Sequence, residues 1–182
     1  MYALTYDRVM YIMKINIDVS IDKIWTRNEI LTKAEMKELI IACLKCVCEK
    51  KHIEYKNIKQ VFLNVSFVNS EVMKKYNLKY RGKDCDTNVL SFQNDNIIND
   101  INAENPVLFL GEMVLCYEKL KQEAIEYNKP FKNRLYHLFV HSVLHLLGYD
   151  HIIENERVEM EQMEQEILRH FGIDNVYFVD ID

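Results

Sequence analysis

His141 and His145 stand four residues apart in the run His141-Ser-Val-Leu-His145-Leu-Leu-Gly148-Tyr-Asp-His151. On a helix that spacing puts both imidazoles on one face with Cβ atoms about 5–6 Å apart, a span that one metal ion at about 2.0–2.1 Å from each nitrogen bridges. Gly148 is placed to end the helix, so that the chain turns and returns His151 to the same face. Three neutral imidazoles leave a fourth position free, the geometry of a catalytic rather than a structural zinc site. The expectation is one Zn2+ per chain on His141, His145 and His151. For any one of these residues a buried or hydrogen-bonded histidine is the plainer account, but three of the chain's six histidines around a helix-ending glycine are not explained that way. His137, one turn earlier, reads as a residue behind the ligands or in the packing, because the free position needs no further imidazole.

The same spacing occurs in metzincin peptidases, H-E-x-x-H-x-x-G-x-x-H. Ser142 occupies the glutamate position here. That glutamate takes the proton from the attacking water, and a serine hydroxyl with its high pKa does not replace it. A zinc metallopeptidase-like hydrolase is therefore the second reading, and a metal hydrolase of another substrate class the first.

The ligands must be carried by a folded frame. Ile15, Ile17, Val19 and Ile21 alternate with polar residues as a strand with one wet face. Thr32 with Glu35 forms a capping box for an amphipathic helix over residues 33 to about 50. Val61, Leu63, Val65 and Phe67 predict a second strand, and Ser70 a cap for a short helix to about Leu78. Residues 87–92 and 107–116 read as further strands, with Gly111 as a bulge and a polar, acidic loop between them. Helices follow from about Tyr117 to Tyr127, from about Phe131 to Leu147 behind Asn128 and Pro130 as cap and first-turn residue, and over 153–170. The fold class this implies is α+β, a small, mostly four-stranded mixed sheet covered by helices, one of which bears the metal-site histidines.

The 182 residues suit a single catalytic domain over 1–182, with residues 1–12 as an N-terminal extension and 173–182 as a C-terminal tail. No window approaches a membrane span and the first residues lack a signal-peptide apolar run, so the chain is expected to be cytoplasmic, with no membrane partner. Cys43, Cys46, Cys48, Cys85 and Cys116 are an odd set without paired spacing, which predicts reduced thiols, buried on the 33–50 helix in the case of Cys43 and Cys46. A net charge of −5 lacks the general basic footprint of a nucleic-acid binder, so any such contact has to be local. The stretch Lys74 to Lys83 supplies one: Lys74, Lys75, Lys79, Arg81 and Lys83 with Tyr76 and Tyr80 interleaved, suited to phosphate contact and base stacking.

At these residues the sequence resembles the bacterial YbeY family, endoribonucleases also called rRNA maturation factors, with the signature H-G-x-L-H-L-x-G-Y-D-H. The match runs through His141, Leu144, His145, Leu146, Gly148, Tyr149, Asp150 and His151. A second block, Asn77, Tyr80-Arg81-Gly82-Lys83-Asp84, Thr87 and Val89-Leu90-Ser91-Phe92, is similar to the family's N-x-x-Y-R-G-K-D-x-P-T-D-V-L-S-F-P. Leu110-Gly111-Glu112 stands where the family has Leu-Gly-Asp, and Met160 with Glu164 fits its terminal helix. The departures are Asp86 for Pro, Asn88 for Asp, Gln93 for the second Pro, and Ser142 for Gly. The amide of Asn88 cannot supply a carboxylate's charge, for which Asp86 is the nearby substitute.

The resemblance implies a single-strand-specific, metal-dependent endoribonuclease acting in late 16S rRNA 3′-end maturation and ribosome quality control, with ribosomal particles or ribosomal proteins as partners and no DNA. Arg81 is the catalytic residue expected on the scissile or adjacent phosphate, since a guanidinium engages it bidentately. The nucleophile stays open between a water activated at the metal and the neighbouring ribose 2′-OH. Glu112 and Asp150 are acidic candidates near the motifs, Asp150 for orienting a ligand histidine. A non-enzymatic ribosome-assembly factor whose metal only fixes the fold is the third reading.

Overall fold

In the computed structural model, residues 13–54, 58–94, 97–102, 107–151, 153–174 and 176–177 are described. The 1–12 extension lies outside them, as do residues 175 and 178–182 of the tail. Among the described residues, four strands and six helices follow in the order β1 (Lys14–Ile21), α1 (Lys33–Lys51), β2 (Gln60–Val68), α2 (Ser70–Arg81), β3 (Val89–Gln93), α3 (Ile97–Asn102), β4 (Val107–Cys116), α4 (Tyr117–Glu126), α5 (Phe131–Leu146) and α6 (Glu154–Arg169). The fold is α+β. The sheet order is β1-β2-β4-β3, with β1, β2 and β4 parallel and β3 antiparallel to β4. None of the described helices is long and apolar enough to cross a membrane.

Strand alternation decides which helices cover which face. Ile15, Ile17, Val61, Leu63, Val65, Met113 and Leu115 point into the larger core, shared with Leu39 and Ile40 of α1, Phe139 and Val143 of α5, and Met163 and Ile167 of α6. The opposite row, Val68, Leu90, Val114 and Cys116, packs against Met73 of α2 in a smaller cluster. Cys43, Cys46 and Cys48 are buried on α1, Cys116 is buried too, and Cys85 is exposed; all five thiols are free.

Gly111 sits at the expected irregularity. Phe62 faces Phe109 and Leu63 faces Gly111, so Leu110 is the extra residue of a bulge. Gly111 has φ +128°, and a Cβ there would lie 2.1 Å from the Phe92 carbonyl oxygen and 3.2 Å from the Leu146 side chain. Its bare backbone lets β3 pair with β4 and seats the end of α5 on the strand.

Three elements differ from expectation. Asn69, not Ser70, caps α2 by accepting from the Val72 N–H at 2.9 Å, and the helix runs on to Arg81 before Gly82 turns left-handed. Asn77 holds that turn by donating to the Cys85 carbonyl at 2.8 Å, and Tyr80 packs edge-on against Phe92 at 4.9 Å. The acidic segment between β3 and β4 includes the short helix α3, which exists because Ile97 and Ile101 are buried. Pro130, not Asn128, is the N-cap of α5, with no side-chain capping bond, and Asn128 itself adopts φ 49°.

The capping box of α1 also ties that helix to α5. Thr32 N–H donates to Glu35 Oε2 at 2.6 Å, while Tyr136 Oη–H donates to Glu35 Oε1 at 2.8 Å and Lys132 Nζ lies 2.7 Å from it. Burial alone would raise the Glu35 carboxyl, but the bonds from Lys132, Thr32 and Tyr136 outweigh it and bring the pKa from 4.5 to about 2. A depressed carboxyl stabilises the fold above its unfolded pKa, and that contribution is lost as pH falls from 4.5 towards 2. Glu35→Gln is expected to cost about 1 kcal/mol at neutral pH. In parallel melts the gap to the wild type should shrink through that acid window; a gap that stays constant down to the acid end contradicts the assignment.

Candidate metal centre

The site is built on the last two turns of α5 and the chain that follows. The helix ends in a Schellman turn: Gly148 N–H bonds the His145 carbonyl at 2.9 Å, Tyr149 N–H bonds the Leu144 carbonyl at 3.1 Å, and Gly148 has φ 89°. The reversal brings His151 back beside α5. His141, His145 and His151 each offer a ring nitrogen, all within 4.8 Å of one another, a group that could hold a metal ion. The ring centroids are 4.5 Å apart for His141–His145, 5.5 Å for His141–His151 and 4.9 Å for His145–His151.

The ring nitrogens turned away from the cluster are held. His141 Nδ1 lies 2.8 Å from Glu164 Oε1, and His145 Nδ1 lies 2.9 Å from the Tyr149 carbonyl oxygen. A carbonyl only accepts, and so does an ionised carboxylate, so both Nδ1 atoms carry protons, and in neutral imidazoles both Nε2 atoms then carry lone pairs. Those two lone pairs face each other at 3.1 Å. Between two neutral rings that contact is repulsive unless a cation is shared; two nitrogens at about 2.0–2.1 Å from one tetrahedral ion sit about 3.3 Å apart. The donor set fits a divalent metal bound through Nε2.

Burial favours the neutral form these atoms need. It lowers the His145 pKa from 6.5 to about 4, with the neighbouring His141 and His151 acting in the same direction. His137 is lowered by burial as well. Burial by itself raises Glu164, but hydrogen bonds from His137 and His141 reverse this and hold its pKa at about 2, so the carboxylate stays ionised.

The other residues singled out from sequence fall in different places. His137 is buried on α5 with Nε2 2.7 Å from Glu164 Oε2 and Nδ1 2.8 Å from Arg134 Nη1, so both its nitrogens are engaged. Asp150 is exposed, and its carboxylate accepts the His151 backbone N–H at 2.7 Å rather than a bond from a histidine ring among the described residues. The groups that hold the outer ring nitrogens of the candidate ligands are Glu164 and the Tyr149 carbonyl. Glu164 had a visible signal, a carboxylate among the buried Met160, Met163, Ile167 and Leu168 of α6. Glu112 lies on β4 opposite Asn64 and Phe92. Ser142 is fully buried, and its hydroxyl has no hydrogen-bond partner among the described residues.

Arg81 is the last residue of α2, exposed, with no ion-pair partner among the described residues. Its basic neighbours are partly committed: Lys74 to Asp84 at 3.3 Å, Lys75 to Glu71 at 2.7 Å, and Lys79 over the Tyr80 ring at 4.7 Å. Beyond the turn, Asp86 pairs with Lys119 of α4 at 3.4 Å, and the Asn88 amide donates to Glu123 of α4 at 2.9 Å. β3, which follows, packs against α5, so α5 carries the histidines on a frame continuous with this block.

Known proteins with the same pattern carry a common name. The family described as Endoribonuclease YbeY matches residues 20–172. A protein of that name from Buchnera aphidicola subsp. Schizaphis graminum is 39% identical over 137 residues, covering 74% of this chain and 84% of the relative. Another, from Francisella philomiragia, is 39% identical over 144 residues, covering 78% and 85%. Among solved structures, the solution structure of a Thermotoga maritima protein superposes with a TM-score of 0.50 at 21% identity, covering 91% of this chain and 98% of that one, a likeness of fold.

Proposed function

The chain belongs to the YbeY endoribonuclease family, and on that premise we propose that it is a metal-dependent endoribonuclease that cleaves single-stranded RNA. The observation that carries the reading is the pair of inward-facing Nε2 atoms, 3.1 Å apart, within the three-histidine group. The ion is zinc, one per chain, because three imidazoles with one free position suit it. His141, His145 and His151 hold it. When bound, it supplies Lewis-acid polarisation of a phosphoryl oxygen and lowers the pKa of a water towards about 7. Arg81 engages the scissile or adjacent phosphate through its planar fork and offsets charge that grows in the transition state. Tyr80, exposed beside it and braced on Phe92, offers a ring face for a neighbouring base. Ser142, buried and without a hydrogen-bond partner among the described residues, supplies no carboxylate for the proton step of a peptidase.

The substrate is ribosomal RNA, at the 3′ end of the small-subunit species, met on ribosomal particles in the cytoplasm, with the whole chain, 1–182, acting as one catalytic domain. The test is incubation of purified protein with a single-stranded RNA, with and without a chelator. Cleavage is expected to stop with the chelator and return with added zinc. RNA left intact by the zinc-loaded protein overturns the reading, and cleavage of casein instead would move the protein to the peptidases. The product ends identify the nucleophile: attack by the ribose 2′-OH leaves a cyclic phosphate, and attack by water leaves a linear one.

A further inference from the structure

A line of partly to fully buried polar and charged groups runs behind the candidate centre. It begins just ahead of β3, where Asn88 Nδ2 donates to Glu123 Oε1 at 2.9 Å. Glu123 Oε2 accepts from Arg134 Nε at 2.9 Å and Nη2 at 2.7 Å, and Arg134 Nη1 reaches His137 Nδ1 at 2.8 Å. His137 Nε2 then meets Glu164 Oε2, and Glu164 Oε1 meets His141. Tyr177 Oη also donates to Glu164 Oε2.

The chemistry of the groups fixes the direction of every bond. Arginine has only donors, so His137 Nδ1 must be an acceptor. A neutral imidazole with an acceptor at Nδ1 has its proton on Nε2, where it donates to Glu164. Glu164, as an ionised carboxylate, accepts at both oxygens, so the proton of His141 must sit on Nδ1. One arginine on the first turns of α5 therefore dictates, through His137 and Glu164, that His141 presents a lone pair at Nε2.

We propose that Glu164 is the positioning residue of this centre, fixing the tautomer and ring orientation of His141, and that the Asn88–Glu123–Arg134–His137 line holds Glu164 in place for it. Three further observations support this. Glu164 is 1% exposed, on the otherwise apolar side of α6, where a hydrophobic residue would serve packing alone. The line runs from the residue just ahead of β3 through α4, α5 and α6, so it joins the segment after Arg81 to a candidate ligand. Asn88 donates to Glu123 through its amide; a carboxylate at this position would face another at that distance. Asn88 thus belongs to the support of the centre with Glu123 as its partner, while the Asp86 charge is paired with Lys119.

This inference rests on His141 being a metal ligand, and the experiment separates the two. Long-range 15N–1H spectra of the full chain, metal-free and zinc-loaded, should show His141 protonated at Nδ1 and His137 protonated at Nε2. His141 protonated at Nε2 in the metal-free wild type overturns the proposal without any variant. In Glu164→Gln the amide can accept from one imidazole but not both. Zinc affinity, read by competition with a chromophoric chelator, is expected to fall about 10–100-fold, the scale for losing a group that orients a ligand. His141 should gain the other tautomer. A variant that is less heat-stable but keeps wild-type zinc affinity and the Nδ1 tautomer shows a merely structural role and also overturns it. If the wild type itself binds no zinc, it is the metal-centre reading that has failed.

Discussion

Protein carrying His145→Ala, or His141→Ala, is expected to purify with well below one equivalent of zinc and to lose cleavage of single-stranded RNA. The argument is one of geometry and valence. Two of the three donors project from adjacent turns of α5, and removing either leaves two imidazoles, too few to hold zinc against solvent. Loss of a group that merely orients a ligand costs about 10–100-fold in affinity, so loss of the ligand itself should exceed that. The two variants should differ in stability. His145→Ala forfeits one bond to the Tyr149 carbonyl, and alanine favours the helix. His141→Ala leaves Glu164 Oε1, an ionised and buried oxygen, without that N–H, and unpaired buried groups cost about 1–3 kcal/mol or more when charged. The metal-free form of His141→Ala should therefore melt lower than that of His145→Ala. Elemental analysis and thermal melts on the same preparations decide it. Full zinc in both variants would remove the site.

Much of this site could be read before the structure because its geometry is local. The four-residue step from His141 to His145 needs only a helix, and the return of His151 needs only the turn at Gly148. The capping box at Thr32 and Glu35, the alternation in β1 and β2 and the Gly111 bulge are equally short-range. What escaped depends on distant partners. His141 and Glu164 are 23 residues apart, and Asn88 and Glu123 are 35 apart, separations that no periodicity encodes. Asp150 was the natural candidate to orient a ligand because it adjoins one in sequence, yet its carboxylate turns to the backbone of His151. α3 was hidden for a related reason: its few isoleucines stand in a run of acidic and amide residues, and only the core that Ile97 and Ile101 enter makes their four-residue spacing a helix. The end of α2 was placed too early because Tyr80 and Arg81 look like loop residues until Phe92, from β3, is seen to pack on Tyr80.

That shift in α2 sharpens the expectation for Arg81. As the final helical residue before left-handed Gly82, it projects from a rigid element rather than a loop, exposed and without an ion-pair partner among the described residues. Its removal should cost the fold no more than the interaction of one cation with a helix C-terminus, about 0.3–1 kcal/mol. None of the candidate ligands His141, His145 and His151 belongs to α2, so metal content should stay at the wild-type level. If the guanidinium stabilises charge on the phosphate, Arg81→Ala should lower RNA cleavage by on the order of 10²–10³, the scale for one transition-state donor. Arg81→Lys should recover part of the loss, since an ammonium keeps the charge but not the planar fork. The loss should appear mainly in turnover if the contact strengthens as the reaction proceeds, and mainly in RNA affinity if it serves binding alone. Zinc content, melting temperature and cleavage measured on one set of preparations test each part. Wild-type cleavage by Arg81→Ala would show that the end of α2 takes no part in the chemistry. Loss of zinc would mean that this residue supports the centre instead of the substrate.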